Sequence, residues 1–185
     1  MISHASHRTS QLFTLTIAAS ISTLIVACAD HAALAPEDTQ LSPQMATSQR
    51  SNTDNFIATL QRVTGRYHNL QAAIDDEFVL LHPCEERPGE GPVGAVYANF
   101  GRVLDGVIDP ELPDALIYEP SADGKLKLVG VEFAQPYPFA PQAPTLMGET
   151  FQAEDEFGVW ALHVWVWKDN PEGMFAESNP LVSCN

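Results

Sequence analysis

The chain has 185 residues, a formal charge of −15, 45% hydrophobic residues and 9% aromatic residues. That length suits one domain with a real core, is too short for two full ones, and the apolar content excludes wholesale disorder. Twenty-four acids against nine Lys and Arg exclude a polyanionic partner, so no nucleic acid is expected: no basic stripe exists to displace counterions from phosphates.

Residues 1–11 are polar with one firm positive charge, Arg8, and Leu12 to Ala27 carries no charge at all. This run is short of the roughly 20 residues of a membrane span and reads as the apolar region of a secretory signal over residues 1–27. It ends Leu24-Ile25-Val26-Ala27-Cys28, which resembles the lipobox of bacterial lipoproteins. The resemblance implies a mature chain that starts at a lipidated Cys28, with the membrane as a partner through an N-terminal lipid anchor. Ala29 in place of Asp implies the outer membrane. A second reading stays open. Ala27-Cys28-Ala29 and Ala33-Leu34-Ala35 are both A-x-A sites, and cleavage there would discard Cys28 and free a soluble periplasmic or secreted protein.

Residues 28–53 are expected to be a flexible tether. Leu34, Leu41 and Met45 are their only large apolar residues, too few to offset the entropy of ordering. Such a stretch reaches about 25–30 Å. The globular domain is expected over residues 54–185. Asp54 suits a helix cap. Behind it Phe56, Leu60, Val63, Tyr67, Leu70, Ile74 and Phe78 form one apolar stripe on a helix of about 25 residues. Gly65 marks a break or bend near 64–67.

Residues 82–93 are Pro- and Gly-rich and read as a loop. Strands are expected at Gly94–Phe100, Ala115–Glu119, Lys127–Ala134 and Val159–Lys168. The short Pro120–Gly124 connection makes the second and third antiparallel neighbours. The fold class is therefore α+β: one long N-terminal helix packed on an antiparallel sheet of about four strands. The Pro-rich segment 135–158 is expected to cover the second sheet face, and 169–185 to be an ordered coil with turns at Asn170-Pro171 and Asn179-Pro180.

In the last strand Trp160, Leu162, Val164 and Val166 alternate with Val159, Ala161, His163, Trp165 and Trp167. The first set suits the helix-packed core, and the second puts His163 between two tryptophans on the opposite face. The same division in Lys127–Ala134 sends Val129, Val131 and Phe133 to the core. It sends Leu128, Gly130 and Glu132 to the other face, where Glu132 meets His163 if the strands are neighbours in suitable register. With Cys28 lipidated or removed, Cys84 and Cys184 remain, and an exported chain with two cysteines most simply forms one disulfide. Two free thiols, or a Cys84 nucleophile with His163, are the alternatives.

Leu162-His163-Val164-Trp165-Val166-Trp167, Asn170-Pro171-Glu172-Gly173-Met174-Phe175 and Asn179-Pro180-Leu181-Val182-Ser183-Cys184 together resemble a family of uncharacterised exported bacterial proteins. Tyr67 to Phe78, Cys84, Gly94 to Asn99, Leu116-Ile117-Tyr118-Glu119 and Val131-Glu132 fit the same family, over about residues 60–185. The resemblance implies no known activity. It also implies a histidine in relatives where this chain has Val96, so a two-histidine metal site would be incomplete here.

Three functional classes follow. The leading one is a non-enzymatic structural or interaction lipoprotein, with no cofactor and an unidentified protein partner, in which covering loop and tail fill the His163 face. A second is a binding module in which His163, Trp165, Trp167 and Glu132 hold a small-molecule ligand. Its metal version uses His163 and Glu132, helped by Met147 or His82. The third is an enzyme with a His163–Glu132 acid/base pair, although no G-x-S-x-G, phosphate loop, H-E-x-x-H or C-x-x-C occurs.

Overall fold

The computed structural model describes residues 43–87 and 91–185. The expected signal, Cys28 and the tether up to residue 42 lie outside the described residues. Helix α1 spans Pro43–Thr64, starting at Pro43 rather than Asp54. A proline suits the first helical turn, where its missing N–H is no loss. Its first turns are solvent-exposed, and the inward face begins with Phe56 and Leu60. Residues 43–53, expected within the tether, are thus a polar extension of the helix.

The break at Gly65 is present. A 3₁₀ turn over Gly65–His68 follows α1, and Asn69 then caps α2 (Leu70–Asp75) by accepting a hydrogen bond from the Gln71 N–H at 3.1 Å. This interruption shifts the helical phase, because a 3₁₀ turn advances at 3.0 rather than 3.6 residues per turn. Ala73 therefore faces the core and Ile74, expected in the stripe, is 47% exposed. Phe56, Leu60, Tyr67 and Phe78 keep their expected places in the core.

The strands are β1 (Val79–His82), β2 (Glu86–Arg87), β3 (Gly91–Pro92), β4 (Ala95–Ala98), β5 (Ala115–Pro120), β6 (Leu126–Pro136), β7 (Thr145–Leu146), β8 (Glu149–Thr150), β9 (Gln152–Glu154) and β10 (Val159–Val164). A short helix α3 (Phe100–Val103) follows β4. Six strands form one sheet in the order β1-β4-β5-β6-β10-β9, every neighbour antiparallel. Helices α1 and α2 on one side of an antiparallel sheet, with the short α3 against the other, make the fold α+β, with four central strands where the alternation places them. The edge strands β1 and β9 were not legible because they are short and lack alternation. The turn at Ser121–Lys125 joins β5 to β6 as an antiparallel hairpin.

Two local irregularities redirect side chains. Ile117 pairs with Gly130 and Tyr118 with Leu128, so Val129 is an extra residue in β6. Such a bulge flips the alternation. Leu128 then joins the helix-side core and Val129 the opposite one, reversing the expected sides, while Val131, Phe133 and Glu132 stay where alternation put them. β10 also ends at Val164 rather than Lys168. The Trp165 N–H donates to the Met174 carbonyl, and the Val166 N–H turns back to the Val164 carbonyl, a γ-turn that ends the strand. At Gly94, with φ +98°, a side-chain Cβ would sit 2.8 Å from the Tyr118 carbonyl oxygen; only glycine fits there.

The described residues from Pro43 to Asn185 belong to one compact unit. Segment 135–158 covers less of the second face than expected. Its Leu146 and Phe151 pack into the helix-side core, while Pro136 and Phe157 border the cleft on the far side. The second face is closed by the C-terminal coil instead. Val182 packs with Val93, Val96, Ile117, Val129 and Trp165. The Asn179 side chain accepts from the Leu181 N–H and donates to the Asp169 carbonyl, and the Asn170 side chain donates to the Ser178 carbonyl. Both expected Asn-Pro turns are present in this coil. Cys84 and Cys184 form a disulfide with Cα atoms 5.3 Å apart.

Candidate functional site

One straight row of paired residues crosses the second face. Ala98 pairs with Ala115, Ala115 with Glu132, and Glu132 with His163. The strands are neighbours in the register that brings Glu132 and His163 together, with His163 Nε2 3.3 Å from Glu132 Oε2. Both residues are buried. His163 Nδ1 faces the Glu177 carbonyl oxygen at 2.5 Å. A carbonyl only accepts, so Nδ1 carries a proton. Nε2 faces a carboxylate, which requires one more proton between the two groups. The pair is therefore neutral as a unit, an imidazolium beside a carboxylate. Burial alone would push the His163 pKa down. Its hydrogen bond to Glu132, the Glu132 charge and the Glu177 carbonyl outweigh burial and raise it above the ordinary value.

The three tryptophans are held by three different segments. Trp165 Nε1–H donates to the Ala176 carbonyl at 2.7 Å, within the coil that covers His163. Trp160 Nε1–H donates to the Ala140 carbonyl at 3.0 Å, in the Pro-rich segment. Trp167 Nε1–H donates to Thr64 Oγ1 at 3.1 Å, and its ring meets His68 edge-on at 4.4 Å. Trp167 therefore lies on the helix side, because the γ-turn after Val164 interrupts the alternation that placed it beside His163. The expected quartet divides: His163, Glu132 and Trp165 share a face, and Trp167 does not. The crevice beside His163, Phe175 and Glu177 measures about 10 Å³, at the lower limit for one water molecule.

A larger cleft opens farther along the same face, where three strand positions carry alanine. Ala98, Ala115 and Ala134 with Val159 form its floor, Val103 a wall, and the exposed Phe100, Leu104 and Phe157 its rim. Its volume is about 180 Å³ and Glu132 lines it. Among the described residues, the only hydrogen-bond or ion-pair partner of the Glu132 carboxylate is His163. The hollow follows from the sequence: methyl side chains at three neighbouring positions, Ala98, Ala115 and Ala134, leave space that larger residues would fill. No family model, curated protein or solved structure matches this chain.

The weak metal candidates do not converge. His82 stacks on Phe157 with ring centroids 6.1 Å apart, and Met147 sits at the tip of the β7–β8 hairpin. Among the described residues no three His, Cys, Asp or Glu side chains are placed to hold one ion. Cys84 is in the disulfide, so it offers no thiol beside His163.

Asp114 is the ionisable group that sequence reasoning missed. It is 1% exposed, and its Oδ2 accepts from the Ala134 N–H at 2.8 Å. Burial raises its carboxyl pKa to about 7; the charges of Glu132 and Asp105 add to this, while the Ala134 N–H and Arg102 oppose it. In the sequence it stands after Pro113 like any turn acid. Helix α3 was also missed, although Asn99 as a cap followed by Phe100, Val103 and Leu104 at helical spacing carries a signal for it.

Proposed function

We propose that this chain is an exported, lipid-anchored protein of the bacterial outer membrane that acts by presenting a rigid surface rather than by catalysis. The observation that carries this reading is the Cys84–Cys184 disulfide, which ties the C-terminal coil to the body. Disulfides persist in oxidising compartments and are rare in the cytosol. The uncharged run Leu12–Ala27 followed by Cys28 supports the same address. The resemblance of the C-terminal motifs to exported bacterial proteins agrees with it.

Against catalysis, both ring nitrogens of His163 are engaged, by Glu132 and by the Glu177 carbonyl, which leaves no lone pair for a substrate proton. A pocket made of His163, Trp165 and Trp167 is not favoured either, because coil carbonyls occupy the first two and Trp167 faces the helix.

The test is the intact mass of protein isolated from the envelope of producing cells. The expected species begins at Cys28, carries fatty acyl groups and contains one disulfide, and Cys28→Ser moves the protein into the soluble fraction. A mass that retains residues 1–27 without acylation would overturn the proposal.

A further inference from the structure

We infer that the cleft beside Glu132 is a binding site for a small uncharged molecule with one apolar ring and a hydroxyl or N–H donor. Size supports this first. An apolar cavity of about 150 Å³ accommodates a benzene-sized molecule, and this cleft of about 180 Å³, open at its rim, leaves room for small substituents. Its walls are apolar: Ala98, Ala115, Ala134 and Val159 contribute no polar side-chain atom. Phe100 and Leu104 stand 47% and 63% exposed at its mouth, where a ring passing inward would meet them.

The polar end of the ligand is fixed by Glu132. Its side chain is buried, it lines the cleft, and one oxygen, Oε2, is committed to His163. A carboxylate that lines an apolar cleft is a strong acceptor that gains from a donor and loses when an apolar group covers it. The charge state of the ligand follows from the pair behind it. Glu132 and His163 are neutral together, so a cationic ligand would bury a net positive charge, and an anionic one would face the carboxylate directly. A phenol, an aromatic alcohol or an indole-like N–H suits all three conditions.

The probes are p-cresol, toluene, benzylamine and benzoate, titrated by NMR into the full exported chain with its disulfide intact. p-Cresol is expected to bind saturably and to show contacts to the methyl groups of Ala98, Ala115 and Ala134. Toluene is expected to bind at least about tenfold more weakly, the loss of one hydrogen bond to a charged acceptor. Benzylamine and benzoate are expected to bind more weakly than p-cresol. Ala134→Leu, which fills the floor, is expected to abolish p-cresol binding; the methyl contacts in the unaltered protein decide the matter if that variant folds poorly. Toluene equal to p-cresol, either charged probe tighter than p-cresol, contacts at another surface, or no binding by any probe would overturn the inference.

Discussion

On the helix side of the sheet, Phe56, Leu60 and Tyr67 interlock with Leu116, Tyr118, Leu128 and Phe133, and the Tyr118 hydroxyl donates to the Tyr67 carbonyl at 2.8 Å. On the opposite side, Ile117, Val129 and Trp165 meet a coil held by Asn179, Asn170 and the disulfide, while the Ala98–Ala115–Glu132 row has no such cover. The first face is closed by side chains from a helix adjacent in the chain. The second is closed by Val182 and by backbone carbonyls of a coil whose disulfide partner, Cys84, lies 100 residues away in the chain. The difference teaches that a face covered by coil can be left partly open, because a coil covers only where its own anchors place it.

Four measurements would break or sharpen this contrast. Phe133 is fully buried with Phe56 6.2 Å away, so Phe133→Ala should cost about 3–5 kcal/mol in urea denaturation. A loss below about 1 kcal/mol, the range of ordinary surface changes, would remove the helix side from its place as the main core. Replacing both Cys84 and Cys184 with serine should cost about 2–4 kcal/mol. It should also shift Trp165 emission while leaving helical circular dichroism in place. Equal loss of both signals would mean that the two faces do not separate.

The third measurement is stability against pH. His163 has a raised pKa in the fold, so its contribution is complete below the ordinary value of 6.5 and is lost as pH rises through the folded value. Asp114 is raised from 3.8 to about 7. The fold prefers its neutral form, and the penalty grows from about pH 4 and is complete above about pH 7. Both groups have the same sign, so each lowers stability as pH rises. Asp114→Asn should remove the part between about pH 4 and pH 7 and leave the decline due to His163 above about pH 6.5. Unchanged pH dependence in that variant would show that Asp114 does not pay for its burial. The smallest effect is expected at the open rim: Leu104, 63% exposed, should tolerate serine within about 0.5 kcal/mol. A larger cost would show that the rim is packed rather than open.

Much of this contrast was legible in the sequence. Alternation in Val159–Val164 separated Leu162 and Val164 from His163, and the expectation of export, with Cys28 lipidated or removed, predicted the pairing of Cys84 with Cys184. The failures came where local geometry departs from a fixed period. The bulge at Val129, the 3₁₀ turn after Thr64 and the γ-turn after Val164 each insert a change of phase that composition does not signal, and they moved Leu128, Val129, Ile74 and Trp167 to other sides. The cleft was missed for another reason. Alanine fits either a packed or a hollow position, so Ala98, Ala115 and Ala134 revealed the hollow only once the register aligned them.

The three indole N–H groups end on three separate partners, the Ala140 carbonyl, the Ala176 carbonyl and Thr64 Oγ1. Each tryptophan is consequently a private optical witness to one event of assembly: arrival of the Pro-rich segment, seating of the C-terminal coil, and docking of the helix. Variants that keep one indole at a time would let stopped-flow fluorescence time those three arrivals separately, with no dye attached.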